Sequence, residues 1–191
     1  MVAFKRVRGD AGMTLLEILV GAGILALLMW IAMMLLVTST NNFAVEVTVT
    51  DLEQHARWVT ERLTEDVRGA VASTRVITVV GGDTSITFRR NAGYAAGAVQ
   101  LGNTITWQTE LFGGELDDGL DNNANGLVDE RQLVQIDNGA RSLISPWIEE
   151  GGFQLTDLGA NLQVTVLLRN FDASGTVHQE RMSSTVQFRN P

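Results

Sequence analysis

The chain has 191 residues, with 14 Lys and Arg against 22 Asp and Glu, for a formal net charge of −8. A balance this acidic argues against phosphate-driven nucleic-acid binding, which needs a basic patch. There is no cysteine, so disulfides, thiolate catalysis and cysteine-ligated zinc are excluded as well.

The chain opens with a short basic leader carrying Lys5, Arg6 and Arg8. Gly12-Met13-Thr14-Leu15-Leu16-Glu17 follows, and then an uncharged apolar run from Ile18 to Val37. At about 1.5 Å of rise per residue that run is roughly 30 Å long as a helix, the thickness of one hydrocarbon core. The positive-inside rule places the leader in the cytoplasm and everything after Val37 outside. A secretory signal carries its small-residue cleavage site after the apolar stretch. Here the small residue, Gly12, precedes it, so a cut at Gly12 removes the leader and retains the helix. Glu17 is an ionisable residue at the edge of a lipid-length segment, a placement that is costly and points to a role. Two physical readings are open for it. Its carboxylate can snorkel to the headgroups, or it can pair with an amine of a neighbouring chain that is equally costly in lipid.

The segment resembles the class III signal of type IV pilins and type II secretion pseudopilins. The resemblance implies that a prepilin peptidase cuts after Gly12, that Met13 becomes the methylated N-terminus, and that Glu17 is the assembly glutamate facing a neighbour's Met13 amine. Most members begin with Phe where this chain has Met13. Many also carry a disulfide-bounded C-terminal loop, which this chain cannot form. The loss of residues 1–12 would take the net charge to −10 and remove the sole lysine, Lys5.

Beyond Val37 the apolar residues become striped. Val45, Val49, Leu52, Ala56, Val59, Leu63, Val67 and Ala70 recur at steps of three and four, the spacing of one helical face. Arg57, Glu61, Arg62, Glu65 and Arg68 fall elsewhere and can pair along the helix, Arg57 with Glu61 for example. The pattern predicts one helix from about Met13 to Ala72, divided into a transmembrane and filament-core part (13–37) and an amphipathic part (38–72). No proline interrupts it. The Asn-, Thr- and Val-rich stretch from Thr38 to Thr50 has low helix propensity and is the place for a local break.

From residue 73 to 191 the pattern is that of a β-rich head. Arg75–Val80 and Thr84–Arg90 flank the turn Gly81-Gly82-Asp83. Further strands are predicted at Asn103–Glu110 and Arg131–Ile136, and Leu162–Phe171 and Thr176–Phe188 flank Asp172-Ala173-Ser174-Gly175. Asn91–Ala98 is predicted as a loop. The expected fold is α+β and pilin-like, with a long N-terminal helix packed on an antiparallel sheet.

Within the head, residues 115–132 form a calcium-type loop. Glu115, Asp117, Asp118, Asp121, Asp129 and Glu130 gather there without a base before Arg131. Asp121, Asn123 and Asn125 place side-chain oxygens at alternate positions, Gly126 permits the turn, and the Leu127 carbonyl can supply a backbone ligand. Gln132 stands where an EF-hand has its closing glutamate, so Asp129, Glu130 or Asp118 must complete the shell. The stretch resembles the aspartate-rich loops of thrombospondin type 3 repeats. Amides in place of carboxylates lower the ligand charge, which suits an affinity of about 10⁻⁴ to 10⁻³ M, as in extracellular modules. The expected role of Ca²⁺ is structural.

No catalytic constellation is visible. His55 and His178 are the only histidines and nothing in the spacing joins them, while Ser73, Ser142, Ser183 and Ser184 lack a nucleophile-elbow context. Among pilin-like proteins the chain is most similar to minor subunits, the J-type pseudopilins and W-type minor pilins. The resemblance implies a non-enzymatic filament subunit of a type IV pilus or type II secretion pseudopilus, in a tip or priming complex. Its partners would be other pilin or pseudopilin subunits, prepilin peptidase and the bacterial inner membrane, with the head periplasmic before the subunit joins a filament. The alternative is a pilus-borne adhesin or DNA-uptake subunit presenting a calcium-braced loop.

Overall fold

The computed structural model describes residues 14–80, 82–123, 128–172 and 175–189. Helix α1 spans Leu15–Gly69. It starts with reciprocal bonds: the Thr14 amide donates to Glu17 Oε2 at 2.8 Å, and the Glu17 amide donates to Thr14 Oγ1 at 3.3 Å. This is a capping box, which satisfies two of the amides that a helix start leaves without partners. The low-propensity stretch does not break the helix. Thr38, Thr40 and Thr48 each donate a hydroxyl hydrogen bond to a carbonyl three or four residues back, so these hydroxyls are satisfied within the helix.

The chain divides into two compact units, Met1–Phe43 and Ala44–Pro191. In the first, all described residues are exposed. In the second, α1 buries Leu52, Ala56, Val59, Leu63 and Val67. The buried stripe is shorter than its sequence spacing implies, because Val45 is only half-buried and Val49 is exposed. The helix also stops earlier than the expected Ala72. Ala70 bridges to Arg90, Val71 donates to the Arg89 carbonyl, and Ala72–Thr74 form a single 3-10 turn. Arg57 pairs with Glu53 rather than Glu61.

Among the described residues seven strands follow: β1 (Val76–Val80), β2 (Asp83–Ala95), β3 (Ala98–Leu111), β4 (Arg131–Asp137), β5 (Ala140–Asp157), β6 (Asn161–Phe171) and β7 (Val177–Gln187). They form one antiparallel sheet in sequence order, with β1 and β7 at its edges. The head is therefore α+β: the apolar stripe of α1 shares one core with inward-facing residues such as Phe88, Trp107, Leu133 and Phe153.

Two parts of the sheet differ from the sequence reading. The predicted loop at Asn91–Ala98 is a hairpin, in which β2 runs on to Ala95 and β3 begins at Ala98. Ala96 and Gly97 make the two-residue turn at φ 50° and 77°, the conformation that matches strand twist. Strand β5 was not foreseen. Its signal is Asn138-Gly139, with φ 49° and 88°, the dipeptide most characteristic of a hairpin turn. Pro146 obscured it, and Pro146 sits where the β4–β5 register shifts, between Ser145 opposite Leu133 and Ile148 opposite Arg131. Proline is tolerated in sheets at such irregularities.

One buried carboxylate fastens helix to sheet. Asp66 is 3 % exposed and accepts from Arg90 Nη2 at 2.6 Å, from Trp107 Nε1 at 3.0 Å and from Gln135 Nε2. A carboxylate this deep is tolerated only when charged and neutral donors surround it.

Candidate functional site

The N-terminal motif lies partly outside the described residues, which do not include Gly12 or Met13. Glu17 is described and exposed. Its capping box with Thr14 gives the carboxylate a local duty that the sequence reading missed, although the Thr-x-x-Glu spacing signals it. The helix that Glu17 starts is long and apolar enough to cross a membrane by length and composition, a test that a membrane anchor and a signal sequence both pass.

The acidic loop joins β3 to β4. Asp118, Asp121, Asn123, Asp129 and Glu130 are described, whereas Asn125 and Leu127 lie outside the described residues. Two of the expected ligands are engaged by the loop's own backbone. Asp129 accepts from the amides of Asp118 at 3.2 Å and Gly119 at 2.8 Å, and Asp118 accepts from the Leu120 amide at 3.0 Å. Carboxylates that receive amides in this way fix a loop's path by themselves.

The deeper acids are Glu115 and Glu130. Both reach Asn123: its backbone amide donates to Glu115 Oε1 at 3.0 Å, and its side-chain amide donates to Glu130 Oε1 at 3.0 Å. Glu115 is 5 % exposed, and its Oε2 is buried with no hydrogen-bond partner among the described residues. A buried carboxylate oxygen without a donor is costly. The donor set is all oxygen, which suits a hard cation such as Ca²⁺. Among the described residues, however, no group of three His, Cys, Asp or Glu side chains is placed to hold an ion. Glu115 and Glu130 are the buried acids of the loop; of the alternate oxygens expected at 121, 123 and 125, that of Asn125 lies outside the described residues. Sequence spacing passed over Glu115 because it precedes the Asp121 repeat; its burial could be read only from the packed loop.

Arg131 and Arg169 hold the loop to the sheet. Arg131 is buried and lies 3.3 Å from Asp83 and 3.1 Å from Asp117, while Arg169 donates to the Val128 carbonyl at 3.0 Å. Burial raises the carboxyl pKa of Asp83 above its ordinary value, opposed by its bonds to Thr109 and the Phe153 amide and by Arg131.

The histidines take structural positions. His55 meets Trp147 edge-on at 4.5 Å between ring centroids, and His178 Nε2 lies 3.0 Å from Asp172 within the β6–β7 hairpin. No protein-family model matches the chain, and neither a curated protein nor a solved structure matches it significantly.

Proposed function

We propose that the chain is a minor pilin or pseudopilin, a structural subunit of a type IV pilus or type II secretion pseudopilus. The observation that carries this reading is the order of features at the N-terminus. A basic leader and Gly12 precede an apolar helix of membrane length, Glu17 stands at its edge, and the same helix continues into the core of a head. An anchor that only tethered the head would need neither a cleavable residue upstream of the span nor a carboxylate at its start. The subunit is processed at Gly12 by prepilin peptidase, waits in the inner membrane with its head outside, and enters a tip or priming complex through helix packing and the Glu17 contact. Its action is mechanical and needs no catalytic group.

The test is N-terminal mass spectrometry of the exported protein. Wild type is expected to begin at methylated Met13, and Gly12→Ala to keep its leader. A Gly12→Ala protein starting at Met13, or a wild-type product starting beyond Val37, would overturn the reading.

The same reading includes a structural Ca²⁺ in the β3–β4 loop, with Glu115 added to Asp121, Asn123, Asn125, Leu127 and Glu130 as candidate ligands. When bound, the ion supplies positive charge to buried carboxylates and cross-links a loop that has no disulfide. Wild type is expected to melt higher in millimolar calcium than in chelator, and Asp121→Ala and Glu115→Gln to lose that difference. Equal melting of wild type in the two conditions removes the ion. An adhesive role finds its support in the same loop, where Leu116 and Leu120 are exposed. Filaments that persist without the subunit while adhesion fails would favour that role.

A further inference from the structure

We infer that the groove between α1 and the free edge of β7 receives an extended peptide segment of a partner protein as an eighth strand, with an acidic residue at the end near Arg68 and Arg189. The inference goes beyond the filament reading and stands on the head alone.

The first observation is the edge itself. β7 pairs with β6 over Asn161–Phe171 without a register shift, from Asn161 opposite Gln187 to Phe171 opposite Val177. Among the described residues, no strand pairs with its other side. Edge strands are usually blunted by shortness, proline, bulges or charged side chains; in β7 the charges, Glu180 and Arg181, fall in its first half, and Met182–Gln187 beside the groove carries none. The opposite edge, β1, is short at five residues. β7 is longer at 11 residues, has no proline, and is regular along its whole length. It offers a straight row of backbone donors and acceptors, the chemistry that captures an extended strand and not a helix.

The second observation is the space beside that edge. A groove of about 550 Å³ is lined by Thr60, Glu61, Thr64, Glu65, Arg68 and Gly69 of α1 and by Ser184 and Arg189 of the β7 region. The helix therefore forms one wall of a slot whose other wall is β7, so a strand added there gains packing as well as main-chain bonds.

The third observation is charge. Arg68 and Arg189 are exposed, and among the described residues neither guanidinium makes an ion pair or a hydrogen bond, in a chain whose net charge is −8. Both line the groove. Arg68 lies in the last turn of α1. Arg189 follows Phe188, whose ring lies 5.0 Å under the Arg75 guanidinium just past the helix end. The groove also carries Glu61 and Glu65, the latter paired with Arg62, but both lie earlier along α1 than Arg68, so a carboxylate complements the two arginines at that end of the slot only.

The test uses the full chain in detergent micelles and a synthetic peptide of alternating threonine and valine ending in two aspartates. The peptide is expected to bind saturably and to slow hydrogen exchange at alternate amides of Val177–Gln187. The double variant Arg68→Gln/Arg189→Gln is expected to bind it roughly tenfold more weakly at unchanged melting temperature, the combined effect of two solvent-exposed ion pairs. A proline in the middle of the peptide should abolish binding. Failure of the acidic peptide to bind, equal binding of a version ending in two lysines, or binding without protection of β7 would each overturn the inference. None of these results bears on processing at Gly12, so the filament reading and this one fail separately.

Discussion

The two parts of α1 belong to one helix and differ in how their apolar residues are distributed. Up to Phe43 the described residues are exposed on every side, Leu15 at 81 % and Trp30 at 68 %. From Leu52 the same helix buries a single stripe, with Leu63 and Val67 fully enclosed. Hydrogen bonding along the backbone does not change between these parts. What changes is the distribution of apolar residues around the axis, continuous in the first and one-sided in the second. A helix that is apolar all round requires an apolar medium, whereas one apolar stripe requires only a sheet.

The largest test of this comparison deletes the same atoms from each part. Leu63→Ala is expected to lower head stability by about 2–5 kcal/mol, because it removes buried methyl groups and leaves a cavity. Leu28→Ala, on the exposed part, should leave the denaturation midpoint of the head unchanged. Chemical denaturation in detergent, followed by tryptophan fluorescence, measures both. Comparable losses would mean that the two parts do not answer to different surroundings.

A somewhat smaller effect is expected at Asp66, the polar member of the buried stripe. Asp66→Ala leaves Arg90, the Trp107 indole and Gln135 without their shared acceptor. The expected loss is about 3 kcal/mol, by analogy with buried donors deprived of a charged partner. The emission of Trp107 should shift at the same time. A loss under about 0.5 kcal/mol would show that the helix is held by apolar contact alone.

The smallest effects sharpen the comparison within the head by pH. Asp157 accepts two bonds from Arg75, at 2.9 and 3.1 Å, and one from the Gly159 amide. The Arg75 bond, followed by the Gly159 amide, holds its carboxyl below the ordinary value of 3.8. A depressed folded pKa means stability that is present above about pH 3.8 and lost as the pH falls through the folded value. Asp157 is well exposed, so the loss should be under about 1 kcal/mol. Asp83 has the opposite sign. Burial raises its pKa above the ordinary 3.8, so its contribution is complete below that value and declines as the pH rises through the folded value. Carboxyl carbon NMR titration should place the Asp157 midpoint below 3.8 and the Asp83 midpoint above it. The reverse order would show that their surroundings differ from those described.

Legibility in the sequence followed the range of the interactions. The hairpin of β6 and β7 was visible because its strands and its turn, which includes Asp172, are neighbours in the chain. The Asn91–Ala98 stretch read as a loop because glycine and alanine carry little strand propensity, yet pairing of β2 with β3 extends through it. Strand β5 was hidden by Pro146 and by the glycines at its bulge. At Gly152 a Cβ would lie 2.6 Å from the Glu149 carbonyl oxygen and 2.7 Å from that of Leu167. No local pattern announces so close a backbone approach, because the crowding comes from a neighbouring strand as well as from the bulge itself.

The sequence by itself determined the apolar run of Ile18–Val37, the stripe from Leu52 to Ala70, the Thr14–Glu17 spacing and the acidic character of the β3–β4 loop. Each of these is set by residues near one another along the chain, where helical or strand periodicity acts directly. Only the tertiary structure decided that Asp66 is the polar fastener of the helix, that Glu115 is the deeply buried acid of the loop, and that β7 keeps a regular free edge beside α1. Those outcomes depend on which side chains meet from distant segments, and on which backbone groups are left over once the sheet has paired.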